Sequence, residues 1–142
     1  PIMHGYTYSG HALACAAANA TLDIVVREDL PANAAARGEQ LMAALADLPQ
    51  RFPFVGDVRG RGLMIAVDFV RDRASRESYS GADALPQRIA MIGRELGLLL
   101  RLAGPSRVVI SPPLVITAEE TDLLARLLIT TLERAAIEFP RG

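Results

Sequence analysis

The 142-residue sequence predicts an α/β domain of the α+β kind. It would hold a small, mostly antiparallel sheet of three or four strands, with helices packed mainly on one face and one long helix ahead of it. Three observations predict this. Periodic segments follow the order α, α, β, β, α, β, β, α, too poor in parallel strands for a doubly wound nucleotide fold. Leu63, Ile65, Val67 and Phe69 alternate with Met64, Ala66 and Asp68, the period of a half-buried strand. Thr117 and Glu120 form the Thr-x-x-Glu pattern of a capping box, and Leu123, Leu124, Leu127, Leu128, Ile129 and Leu132 follow at helical spacing.

Residues 1–10 are rich in Gly, Tyr and Ser and read as a loop, with Ser9 or Gly10 as a cap for the next element. Residues 11–27 carry Leu13, Ala16, Ala17, Ala20 and Ile24 at helical spacing, and so much Ala predicts a closely packed, mostly buried helix. Pro31 suits the first turn of a second helix, which runs to about Leu48 with Leu41, Met42, Leu45 and Leu48 on one face. Pro49 and Pro53 end it. Residues 54–59 and 62–70 read as strands joined through Gly60-Arg61-Gly62. Residues 71–83, with three Arg and three Ser, read as an exposed loop. A third helix covers 84–96, with Ile89, Ile92 and Leu96 inward and Gly97 at its C′ position. Leu98–Leu102 and Val108–Ser111 are short strands around the turn Ala103-Gly104-Pro105-Ser106.

Composition narrows the function. Hydrophobic residues make up 51% and charged residues 22%, a globular balance. A net charge of -1 suggests no nucleic-acid partner. The apolar stretch Ala12–Val26 is interrupted by Asn19, Thr21 and Asp23, and it is shorter than the ~20 residues of a membrane span. Cys15 is the lone cysteine and sits among small apolar neighbours, which predicts a buried, inert thiol and fits a cytoplasmic setting. All 15 basic residues are Arg, so no lysine amine is present to form a Schiff base. Pro1-Ile2-Met3-His4 has no basic leader region, and the chain reads as though it starts inside something larger.

No GxGxxG, P-loop or GxSxG motif occurs, and His4 and His11 lack partners at zinc-ligand spacing, so no metal site is expected. Glu119 and Glu120 suit the positive end of a helix. The segment His4-Gly5-Tyr6-Thr7-Tyr8-Ser9-Gly10-His11 places hydroxyls and glycines just ahead of a helix, which suits either an ordinary capped loop or a phosphate contact. Arg101 ends the apolar run Leu98–Leu102, as a solvent-facing strand end or a carboxylate fork. Arg59 reads as a structural group that bonds backbone carbonyls.

Three segments carry a family resemblance. HGYTYSGHALACAAANATLDI resembles the class III aminotransferase stretch HGxTYSGHPxACAAAxAxLxI. Val58-Arg59-Gly60-Arg61-Gly62-Leu63-Met64 resembles that family's VRGxGLM strand pair, and Val109–Thr117 resembles its ISPPLxIT segment. The three lie in the family's order and span residue 4 to the last helix. His11-Ala12, where aminomutase and acetylornithine-type relatives carry Asn-Pro, is nearer the omega-aminotransferases of beta-alanine:pyruvate type. Ala12 in place of the customary Pro is a departure.

The resemblance implies the C-terminal part of a fold type I, pyridoxal phosphate-dependent enzyme. Residues 1–10 would derive from the edge of the cofactor domain, 11–30 would form a long interdomain helix, and 31–142 the small C-terminal domain. Thr7 and Tyr6 would reach the cofactor phosphate of a neighbouring subunit, and Arg101 would pair with a substrate carboxylate. The family's Schiff-base lysine and the Asp that pairs with the ring nitrogen lie upstream of the TYSGH motif. On that basis the chain alone is expected to bind no cofactor and to be inactive. Its expected partners are a homodimer mate and a missing large domain. Two alternatives stand: a non-enzymatic α/β binding module, or one half of a split enzyme.

Overall fold

A computed structural model of the protein describes residues 4–80 and 85–139. The elements, in order, are α1 (Ala12–Arg27), α2 (Leu30–Leu45), α3 (Leu48–Arg51), β1 (Val55–Arg61), β2 (Met64–Asp72), β3 (Glu77–Ser78), α4 (Leu85–Glu95), β4 (Arg101–Leu102), β5 (Arg107–Ile110) and α5 (Ala118–Glu138). The expected strand-and-helix order holds, with α3 and the two-residue β3 as additions. The expected start of the third helix at residue 84 and the end of the polar loop at 81–83 lie outside the described residues.

The sheet is antiparallel, in the order β1-β2-β5-β4, with β3 also paired to β2. Alternation along β2 sorts its faces: Ile65, Val67 and Phe69 are buried, while Met64 is exposed. The buried face meets one core that includes Leu41 and Leu45 of α2, Ile89 and Ile92 of α4, and Leu128 and Leu132 of α5. α5 packs against both α2 and α4. Burying each such side chain contributes roughly 1.5–3 kcal/mol.

Two glycines set how closely the layers meet. A Cβ on Gly38 of α2 would stand 2.3 Å from the Gly62 carbonyl oxygen, so helix and β1–β2 turn touch backbone to backbone. Gly62 itself has φ 53°, which favours glycine.

The α5 capping box forms in both directions: the Glu120 N–H donates to Thr117 Oγ1 at 3.2 Å, and the Thr117 N–H donates to Glu120 Oε2 at 2.8 Å. Pro31 lies in the first turn of α2. Three expectations are corrected. The cap of α1 is His11, whose Nδ1 accepts the Ala14 N–H, and not Ser9 or Gly10. α1 has no buried residue, because among the described residues only α2 packs against it beyond stray contacts. Cys15, on that helix, is exposed and not buried.

Candidate functional site

The His4–His11 loop is built by local bonds. The Ser9 N–H donates to the Tyr6 carbonyl at 3.0 Å, and the Tyr6 N–H donates to Ser9 Oγ at 3.0 Å. Gly10, at φ 74°, then turns the chain into α1. Tyr6 and Tyr8 are 72% and 80% exposed, which leaves both phenols to solvent. The Thr7 side chain is exposed and forms no hydrogen bond among the described residues. The loop therefore offers an exposed hydroxyl at Thr7, next to Tyr6 in the chain.

Arg101 stands on a different element, at the start of β4. α4 closes with a Schellman motif: the Leu98 N–H donates to the Gly93 carbonyl at 2.7 Å, the Gly97 N–H donates to the Arg94 carbonyl at 3.1 Å, and Gly97 has φ 84°. That reversal delivers the chain to β4, where Arg101 lies opposite Val109 and Leu102 opposite Val108. Arg101 is exposed and has no ion-pair or hydrogen-bond partner among the described residues.

Arg101 lines a cleft of about 310 Å³. Leu100, Ile110 and Leu124 give it apolar walls, and Ser111 and Pro112 close one side. A lone guanidinium at the edge of an apolar cleft suits a carboxylate carried on an apolar body.

The wall made by Ser111 and Pro112 is held from below by α2. Asn33 Nδ2 donates to the carbonyls of Leu114 at 2.7 Å and Ile116 at 3.1 Å. Gln40 Nε2 donates to the Ala118 carbonyl at 3.0 Å. Sequence reasoning missed both residues. Their one signal was a polar side chain within an Ala-rich helical run. The peptides of the Ser111-Pro112-Pro113 segment are trans.

Tyr6 and Thr7 do not line the Arg101 cleft, so the two candidate loci stand apart in this chain. Arg59 corrects its expectation: it bonds carboxylates, donating to Asp57 Oδ2 at 3.0 Å and to Asp68, rather than backbone carbonyls. The arginine that bonds carbonyls is Arg73, which donates to Val55 at 2.9 Å and Phe52 at 3.1 Å. Among the described residues no group of His, Cys, Asp and Glu could hold a metal ion, and no helix is long and apolar enough to cross a membrane.

The thiol-poor, lysine-free residue set bears on a pyridoxal phosphate cofactor. The open Thr7 hydroxyl is a donor of the kind that its phosphate would accept from. Nothing in the 142 residues offers an amine to its aldehyde.

Comparison with known proteins agrees with the geometry. A family model described as aminotransferase class-III matches residues 1–132. An uncharacterized aminotransferase of Sinorhizobium fredii is 44% identical over 120 residues, which are 84% of this chain and 26% of that protein. An amine transaminase from an uncultivated Pseudomonas species, solved in the PLP-bound form, superposes with a TM-score of 0.88 at 49% identity, covering 94% of this chain and 30% of that one. A thermostable (S)-enantioselective omega-transaminase from Thermomicrobium roseum superposes at 0.84 with 41% identity, covering 95% of this chain and 30% of its own. The chain thus spans about a quarter to a third of the length of these relatives.

Proposed function

The chain belongs to the class III aminotransferases, and from that premise we propose that it is the C-terminal lobe of an omega-type enzyme. Such an enzyme transfers an amino group from an amine or omega-amino acid to a keto acid such as pyruvate. The observation that carries this reading is Arg101: an unpaired guanidinium on a short strand, at the edge of an apolar cleft. In water an unpaired arginine gains little from one partner. Beside a cleft that sheds water, a bidentate carboxylate gains more.

In this reading Arg101 orients the substrate by its carboxylate, and Leu100 and Leu124 exclude water from the rest of it. Thr7 donates its hydroxyl to the phosphate of a neighbouring subunit's pyridoxal phosphate, and Tyr6 closes the same edge. Bound pyridoxal phosphate supplies stabilisation of a carbanion next to nitrogen. Its anchoring lysine lies outside these residues, so the working unit is a cytoplasmic homodimer or larger assembly that includes a large domain.

The test uses the 142-residue chain. Titration with beta-alanine or pyruvate, followed by NMR, is expected to shift the Arg101 Nε–H and the Leu100 methyl signals, and Arg101→Gln is expected to abolish both shifts. A response that survives Arg101→Gln overturns the carboxylate role. The chain mixed with pyridoxal phosphate, an amine and pyruvate is expected to form no alanine, and alanine formation refutes the placement of the chemistry outside these residues.

A further inference from the structure

The sheet face turned away from the helices carries a charged cleft of about 640 Å³. Arg59, Arg73, Arg76 and Arg107 line it, and Asp57 and Asp68 are the acidic groups among them. Asp68 bridges two of the arginines: Oδ2 accepts from Arg59 Nη1 and Oδ1 from Arg107 Nε. Asp57 Oδ2 accepts from the same Arg59 Nη1 at 3.0 Å. Both carboxylates are thus spent on Arg59 and Arg107.

The other two arginines have no acidic partner among the described residues. Arg73 bonds the Phe52 and Val55 carbonyls, which fix its place without cancelling its charge. Arg76 has no partner among the described residues and sits at φ 56°, a left-handed conformation that arginine seldom adopts. Four guanidinium groups face two carboxylates, so the concavity holds two positive charges in excess. Ser78 and Ser106 add hydroxyls at its wall.

We propose that this cleft binds a phosphate group, either as free phosphate or as a small phosphomonoester. Arg76 and the unspent Nη groups of Arg107 are its main donors. The donors come from the β2–β3 turn and from β5, so they converge from different directions. A tetrahedral oxyanion can accept from all of them, whereas one planar carboxylate accepts in a single plane.

The proposal does not rest on the aminotransferase reading. Arg101→Gln is expected to leave phosphate binding unchanged, so failure of one reading is separable from failure of the other. Binding is measured on the 142-residue chain by calorimetry and thermal unfolding, at pH 7 and constant ionic strength. Inorganic phosphate and glycerol 2-phosphate are expected to bind saturably and raise the Tm, and chloride is not. Arg76→Gly removes the guanidinium while easing the backbone, so it should keep or raise the Tm without anion and weaken phosphate binding about tenfold or more. Arg107→Gln should weaken it as well, with Asp68 still held by Arg59. Three results would overturn the proposal: chloride matching phosphate at equal ionic strength, citrate binding without phosphate, or Arg76→Gly binding phosphate as tightly as the parent chain.

Discussion

α1 is as rich in apolar residues as α5, yet α1 buries none of them while α5 buries Leu128 and Leu132 completely. Leu13 and Val26 of α1 are 75% and 79% exposed. Both helices show apolar groups at helical spacing. The difference lies in what stands opposite. α5 meets α2 and α4 across a shared core, whereas among the described residues α1 packs on α2 alone beyond stray contacts and joins no core. Periodicity reports where an apolar face lies, but whether that face is covered depends on a second surface.

The comparison can be broken by paired truncations. Phe69→Ala, in the core, is expected to cost about 3–5 kcal/mol, near the whole stability of a small domain. Leu22→Ala on α1 is expected to change stability by less than about 0.5 kcal/mol, since Ala is the better helix former and nothing is uncovered. Urea unfolding of both variants checks this, and equal losses would mean that α1 is covered in solution.

A smaller effect sharpens the picture within the lobe. Gly38→Ala would gain roughly 1 kcal/mol of helix propensity, but its methyl would meet the Gly62 backbone. Overpacking of about 1–3 kcal/mol should outweigh that gain. A stabilised variant in the same unfolding assay would show that helix and turn can separate cheaply.

The smallest effect is electrostatic. Arg88 donates from Nε at 2.6 Å and Nη2 at 2.7 Å to Glu138, tying α4 to the end of α5. These bonds hold the Glu138 carboxyl below the usual carboxylate range. A carboxyl depressed in the folded state contributes stability that is present above its ordinary value and lost as pH falls through the folded one. Glu138→Gln should therefore lower the urea midpoint slightly at pH 7 and by less as the pH falls below the ordinary carboxylate range. A difference that does not shrink with falling pH would assign the loss to packing. Among the described residues no α1 side chain joins an ion pair between elements, so no such pH response is expected there.

Much of the lobe was legible in the sequence, because each of its signals is local. The Thr117–Glu120 box needs only four residues, and the alternation of β2 needs only that one face be buried. Gly97 announced its left-handed turn by being glycine after the last apolar position. Arg101 stood out by its place at the end of an apolar run, while Asn33 and Gln40 did not stand out at all. Their partners lie some 80 residues away, a separation that no spacing rule reaches. Arg59 departed from its expected role for the same reason, since carboxylate and carbonyl partners are chosen by the folded sheet. The Arg76 cleft had no sequence signal, because its walls come from β1, β2, β5 and the β2–β3 turn, which only the folded sheet brings together.

The Schellman turn after α4 has a mechanical consequence for Arg101. Three residues, Leu98 to Leu100, separate Gly97 from the arginine, and the left-handed backbone at the glycine decides the direction in which they leave. A chiral residue at 97 would delete no contact of the cleft, yet it would shift the hinge from which the side chain swings. The aim of Arg101 is thus set upstream by an atom that is missing, the Cβ that Gly97 does not have.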